Sequence, residues 1–326
     1  MISFRFVRYK LNRIYGESIV SINKSIPVHI LGSFNARKWD EIADLVLPYK
    51  NNIMLDVTEE MKRQNYNARK MFDMGEEFFV SLNLSKLPNE FYQNSIIEKP
   101  MDNENFLCHP SAYDNLLNGA FHVSMCTEVN MQDFLTLHHE LSHIQYFQQY
   151  HQQPLVYREA ANPGFLEAVG GFISLSVATP KHLKSIRLLK DDYLFDKARQ
   201  INYLMLTALK TIISLPYDYT LSKFRNEIFR GEIGSKDVNN KYWEMRQKYS
   251  GVESPTPRTD QDFDAGSLFH VASDIEVMKY FVSGILQFQL YKAACIKAHE
   301  YKPGEKDQLL HNCDIYRNTE VGNSLK

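Results

Sequence analysis

Residues 139–143 read His139-Glu140-Leu141-Ser142-His143, and this pentapeptide constrains the fold more than any other part of the 326-residue chain. On a helix, two histidines four apart project from the same face about 40° apart at 3.6 residues per turn, so both can reach one metal. Glu140 then lies beside them, placed to take a proton from water. A third carboxylate, Glu167, falls in the next helical stretch. Two His and one Glu fill three of the four tetrahedral positions around zinc, and an open fourth separates a catalytic zinc from a structural one. The bland alternative is a surface helix with two solvated histidines. Local context weighs against it, because Phe134, Leu137, Leu141 and Ile144 recur at the spacing of a buried helical face. Asn130 with Asp133 reads as the N-terminal cap of that helix. Asn162-Pro163-Gly164 opens the second helix with a cap residue and a proline at the first helical position.

Helical patterning dominates elsewhere. Residues 58–78, 131–150, 163–177, 181–189, 191–214, 218–231, 238–249 and 274–300 read as helices. Extended structure is expected near 106–127, and 251–257 reads as a loop. With 44% hydrophobic residues, 23% charged residues and a net charge of −2, the chain has the balance of a folded soluble protein able to bury a sizeable core. Near-neutral charge, without a basic stripe interleaved with aromatics, argues against nucleic acid as a partner. Lys62-Arg63 and Lys190-Asp191-Asp192 read as solvated helix faces. No apolar run reaches the roughly 18 residues a membrane span needs, and the best one, 203–216, is broken by Lys210. The opening residues 1–8 lack the hydrophobic core of a signal peptide. Asn23-Lys24-Ser25 and Asn83-Leu84-Ser85 are glycosylation sequons, at a number close to chance for this length.

Longer stretches carry a resemblance. The runs 138–146 (HHELSHIQY), 161–170 (ANPGFLEAVG) and 178–186 (ATPKHLKSI) are similar to the angiotensin-converting enzyme family of zinc peptidases. So are 107–112 (LCHPSA), 268–271 (LFHV), Tyr280-Phe281, Leu31-Gly32 and 313–316 (CDIY), so the likeness covers nearly the whole chain. It implies that His139, His143 and Glu167 are zinc ligands and that Glu140 is the general base. It implies also that His270 and Tyr280 stabilise a tetrahedral oxyanion, each such donor being worth about 3–4 kcal/mol. Alone, His270 would read as a packed core histidine; Tyr280 at the matching offset favours the functional reading. His109 matches a residue that hydrogen-bonds the substrate backbone, in an extended segment where a peptide could add as an edge strand. The implied fold is mostly α, a two-lobed zincin-type metallopeptidase with a small antiparallel β element at a deep cleft. The implied organisation is a single catalytic domain over 1–326, incomplete at both ends and without the N-terminal lid portion.

The chain also departs from the family pattern. Members that release dipeptides hold the substrate's C-terminal carboxylate with a lysine, a tyrosine and a glutamine. Leu268, Val277 and Arg37 stand there, a combination similar to the carboxypeptidase branch, in which an arginine moves the anchor inward and one residue is released. A solvated arginine on the polar turn Asn35-Ala36-Arg37-Lys38 is the alternative. Gly171 replaces an acid that orients a zinc-bound histidine, a loss that typically costs about 10–100-fold in metal affinity or activity. Leu166 replaces a polar neighbour of the glutamate ligand, and the Gly170-Gly171 pair is expected to loosen its helix by about 1 kcal/mol per glycine relative to alanine. Arg246 and Lys279 match the basic positions of two chloride sites, with Tyr242 near the first; core-rim cations are the competing reading. Cys108 with Cys126, flanking His109 and a turn at Asn118-Gly119, and Cys295 with Cys313 match family disulfides. Paired cysteines imply an oxidising, extracellular setting, secreted or as a membrane-associated ectodomain, against the alternative of four reduced thiols. The expected activity is zinc-dependent removal of residues from the C-terminus of small peptides. The alternative is a catalytically weak or inactive homologue acting as a peptide- or protein-binding module.

Overall fold

The helix that the pentapeptide demands runs Met131–Tyr150, and Asn130 starts it by accepting the Asp133 N–H at 2.7 Å. The computed structural model describes residues 2–50, 55–116, 120–259 and 261–326, and helices carry most of it. Two short strand pairs complete it: an antiparallel pair, Ser111–Asn115 with Ala120–Ser124, and a parallel pair, Ile26–Pro27 with Val252–Glu253. The chain divides into two compact units, one of Met1–Met54 with Phe195–Gly284, the other of Leu55–Leu194 with Ile285–Lys326.

In the second unit Phe134, Leu137, Leu141 and Ile144 form the fully buried face of the Met131–Tyr150 helix. Each such side chain contributes roughly 1.5–3 kcal/mol through burial. The neighbouring helix Pro163–Val177 begins with Asn162 accepting the Phe165 N–H at 2.9 Å, and adds Phe172, Ile173 and Val177 to the same core. Phe72, Phe78 and Phe79 of the Ala68–Ser81 helix close that core. A Cβ on Gly75 of this helix would stand 2.6 Å from Leu141 Cδ1 and 2.9 Å from Leu137 Cδ1, so glycine sets the spacing to the pentapeptide helix. The disulfides Cys108–Cys126 and Cys295–Cys313 both belong to this unit. The turn expected at Asn118-Gly119 lies outside the described residues.

Several boundaries differ from expectation for local reasons. The single helix expected over 58–78 is two, Thr58–Arg63 and Ala68–Ser81. Asn65 takes a left-handed φ of 52°, and Asn67 caps the restart by accepting the Lys70 N–H at 2.8 Å. The helix expected over 181–189 stops at Ser185, just before Arg187 at φ 61°. The one expected from 191 begins at Lys197, where Asp196 caps it by accepting the Arg199 N–H at 2.9 Å.

The first unit contains a helix not foreseen, Ile2–Tyr15, whose Val7 and Leu11 join Val20, Ile26, Leu31 and Trp39 in one core. Its second core gathers Tyr217, Leu221, Phe224, Tyr242 and Val277 around the Ser214–Phe229 and Val238–Met245 helices. Two π turns, Ala208–Ile212 and Arg246–Ser250, extend what were expected to be plain α-helices. Within the expected loop 251–257, Val252–Glu253 pairs as a strand, entered through Gly251 at φ 67°. The helix expected over 274–300 is Met278–Lys297, with a separate short turn at Phe269–Ala272. Among the described residues no helix is long and apolar enough to cross a membrane.

Candidate metal centre

Helical geometry brings His139, Glu140 and His143 together, with one candidate ligand atom of each within 4.8 Å of the others. The two imidazole rings stand perpendicular with centroids 4.7 Å apart. Glu167, on the partner helix, places Oε2 3.3 Å from His139 Nε2. Glu140 and His143 are buried, so a water held between them would be largely shielded from bulk solvent. Two imidazoles and a carboxylate are a donor set suited to zinc.

The adjacent glycines of the Pro163–Val177 helix have a packing role. A Cβ on Gly170 would lie 2.5 Å from His139 Nδ1, so the imidazole rests directly on the glycine backbone. A Cβ on Gly171 would lie 2.3 Å from Gln287 Oε1 and 3.0 Å from Gln287 Cβ. The helix runs unbroken through both positions to Val177. The bare backbone at these positions lets His139 and Gln287 approach closely.

His138, one residue before His139, serves the core instead. Its Nδ1 donates to the Phe134 carbonyl at 2.7 Å, and burial pushes its pKa down to about 3, so it stays neutral. His109 lies in the half-exposed segment leading into Ser111–Asn115, a strand paired in the sheet only with Ala120–Ser124 among the described residues.

The remaining expected residues, Asn83 apart, belong to the first unit. His270 Nε2 and the Tyr280 hydroxyl are joined by a 2.9 Å hydrogen bond, their rings perpendicular with centroids 5.1 Å apart. Leu268, Val277 and Tyr280 pack on the core containing Tyr217. Arg37, expected on a solvated turn or as a carboxylate anchor, donates to Asp218 through Nε at 2.8 Å and Nη2 at 3.4 Å, and its guanidinium lies 4.6 Å over the Tyr280 ring. The sequence reading missed Asp218; an acid among apolar residues was its only signal. Arg246 is buried in a π turn and donates to the Asn35 carbonyl at 2.9 Å and the Tyr242 hydroxyl at 3.1 Å. Its Nε and Nη2 have no hydrogen-bond partner among the described residues. Lys279 Nζ stands 4.9 Å over the Tyr280 ring. Of the two sequons, Asn23 is exposed, and Asn83 Nδ2 donates to Asn323 Oδ1 at 2.9 Å.

Comparison with known proteins follows the same lines. Residues 3–326 match the family described as angiotensin-converting enzyme, peptidase M2. An angiotensin-converting enzyme of Haematobia irritans exigua is 48% identical over 317 residues, 97% of this chain and 52% of that one. The angiotensin-converting enzyme-related protein of Drosophila melanogaster is 42% identical over 320 residues, covering 98% of this chain and 50% of the relative. The Mus musculus angiotensin-converting enzyme is 42% identical over 323 residues, 98% of this chain and 24% of that protein. The chain thus spans about half the length of these insect relatives and about a quarter of the mouse protein.

Proposed function

Because the chain belongs to the angiotensin-converting enzyme family of peptidases, we propose that it is a zinc-dependent peptidase cleaving small peptides near their C-terminus. The observation that carries this reading is the convergence of His139, Glu140 and His143 within 4.8 Å, with Glu167 beside His139. His139, His143 and Glu167 would hold the metal. Bound there, zinc would supply Lewis-acid polarisation of the scissile carbonyl. Glu140 accepts the proton of the attacking water on a carboxylate oxygen and returns it to the leaving amine nitrogen. The hydrogen-bonded Tyr280 and His270 supply donors for the developing oxyanion, and His109 binds the substrate backbone as an added strand.

The length of the released fragment depends on what grips the substrate's terminal carboxylate. Leu268 and Val277 are apolar and Arg37 is engaged by Asp218, so the masses of the products decide between one residue and two. Chloride is the anion assigned to Arg246, whose buried guanidinium has two nitrogens without a hydrogen-bond partner among the described residues. Turnover that ignores chloride at constant ionic strength would remove that anion from the account. Lys279, stacked near Tyr280, is the second cation considered for such a site. Two disulfides support an oxidising, extracellular setting.

A peptide-binding module without turnover is the second reading, favoured by Gln287 standing in the space a side chain at 171 would need. Replacing Glu140 by Ala separates the two. A peptidase loses turnover while zinc content, measured by elemental analysis, is retained. A binding module keeps its peptide affinity and has no turnover to lose.

A further inference from the structure

Asp218 is a fully buried carboxylate on the Ser214–Phe229 helix, and nothing above gives it a task. A buried charge persists only when it is paired and hydrogen-bonded. The pairing here is a fork: Arg37 Nε and Nη2 donate to the two carboxylate oxygens at 2.8 and 3.4 Å. Burial opposes both charges: Asp218 more than compensates at Arg37 and holds the guanidinium above its ordinary pKa, whereas burial outweighs Arg37 at Asp218 and raises its carboxyl above the ordinary value. The turn that presents Arg37 is itself pinned. Ala36 adopts φ 42°, a conformation unfavourable for a residue with a Cβ, while its carbonyl accepts the Trp39 indole N–H at 3.1 Å. The Asn35 carbonyl accepts from Arg246 at 2.9 Å. From this platform the Arg37 guanidinium lies 4.6 Å over the face of Tyr280, whose hydroxyl meets His270 Nε2 at 2.9 Å.

We propose that Asp218 and Arg37 are positioning residues for the Tyr280–His270 pair: the buried carboxylate fixes the guanidinium, and the guanidinium fixes the phenol ring from its face. The inference rests on the reading of Tyr280 and His270 as donors to the oxyanion. It assigns Arg37 a purpose other than gripping the terminal carboxylate of a peptide, because two of its nitrogens are already committed to Asp218. A guanidinium that holds a ring acts on every substrate alike, whereas a carboxylate anchor acts only on substrates that carry a free terminus.

The test uses Arg37→Gln, Asp218→Asn and the double variant against two peptides identical except for a free or an amidated C-terminus. Positioning predicts that each single variant lowers kcat by roughly tenfold or more on both peptides, with KM changed by less than about threefold. The double variant is then no worse than the poorer single one, since the two residues act as a unit. The inference is overturned if Arg37→Gln raises KM for the free acid alone while Asp218→Asn changes neither constant. A readout free of turnover accompanies these kinetics: Asp218→Asn, which preserves side-chain shape, shifts the His270 ring signals in NMR spectra. Wild-type protein that cleaves neither peptide defeats the peptidase reading; the NMR comparison then decides the positioning claim, and unchanged His270 signals defeat it too.

Discussion

At the scale of single residues, two neighbours on one helix, His138 and His139, take opposite roles because each helical step rotates the side chain by about 100°. His138 turns into the core, and His139 turns to Glu167 and rests on Gly170. The Gly170 contact gives a direct prediction. Gly170→Ala pushes the His139 ring away, and zinc affinity, measured by competition with a chromophoric chelator, falls by about 10–100-fold while the helical circular dichroism is kept. Unchanged affinity would show that the ring does not depend on the glycine. Asp264 gives a second prediction. It is buried and accepts from Trp243 Nε1 at 2.7 Å, Asn239 Nδ2 at 3.0 Å and Arg258 Nε at 2.7 Å, with a further contact from Arg258 Nη2. Burial raises its pKa, but these donors outweigh burial and hold it below 3.8. A carboxyl depressed in the folded state binds fewer protons there than when unfolded. Its stabilisation is therefore complete above the ordinary value and fades as pH falls through and below it. Urea midpoints of wild type and Asp264→Asn should differ at pH 7 and converge toward pH 3; a constant gap would contradict this assignment. Such roles divide by sequence distance. The spacing of His139, Glu140 and His143 is local and legible, whereas Asp218 acquires meaning from Arg37, 181 positions away, which no local pattern announces.

At the scale of elements, caps were legible and interruptions were not. Asn130 and Asn162 announce their helices because a side-chain oxygen three residues before an N–H is a chemical fact of the local sequence. Asn130→Ala should cost about 1 kcal/mol in urea unfolding. A loss below the error of the measurement would mean that tertiary packing alone starts the helix. The break at Asn65 and the end at Ser185 were missed because apolar periodicity continues across both, while left-handed turns at Asn65 and Arg187 redirect the backbone. The π turn at Arg246–Ser250 was equally hidden, although its extra residue accompanies the buried Arg246 guanidinium. Glycine propensity at 170–171 speaks only to the isolated helix, whereas the close approach of His139 and Gln287 to the bare backbone belongs to the packing.

At the scale of the whole molecule, mostly helical architecture followed from periodicity, and the partition into two compact units did not, since each is assembled from segments distant in sequence. Both disulfides lie in the unit that carries His139, Glu140, His143 and Glu167, and each joins cysteines 18 positions apart. Closing a loop of that size is worth about 3 kcal/mol, so Cys295→Ser with Cys313→Ser should lower the stability of this unit by about that amount under denaturant. An unchanged transition would show that the surrounding core already enforces the crossing. The central claim concerns chemistry, and product analysis tests it most directly. Purified protein is incubated with a library of short peptides, with and without a zinc chelator, and the products are weighed by mass spectrometry. The account predicts chelator-sensitive loss of C-terminal residues, at a constant mass step. Intact peptides from a folded, zinc-loaded sample would contradict it.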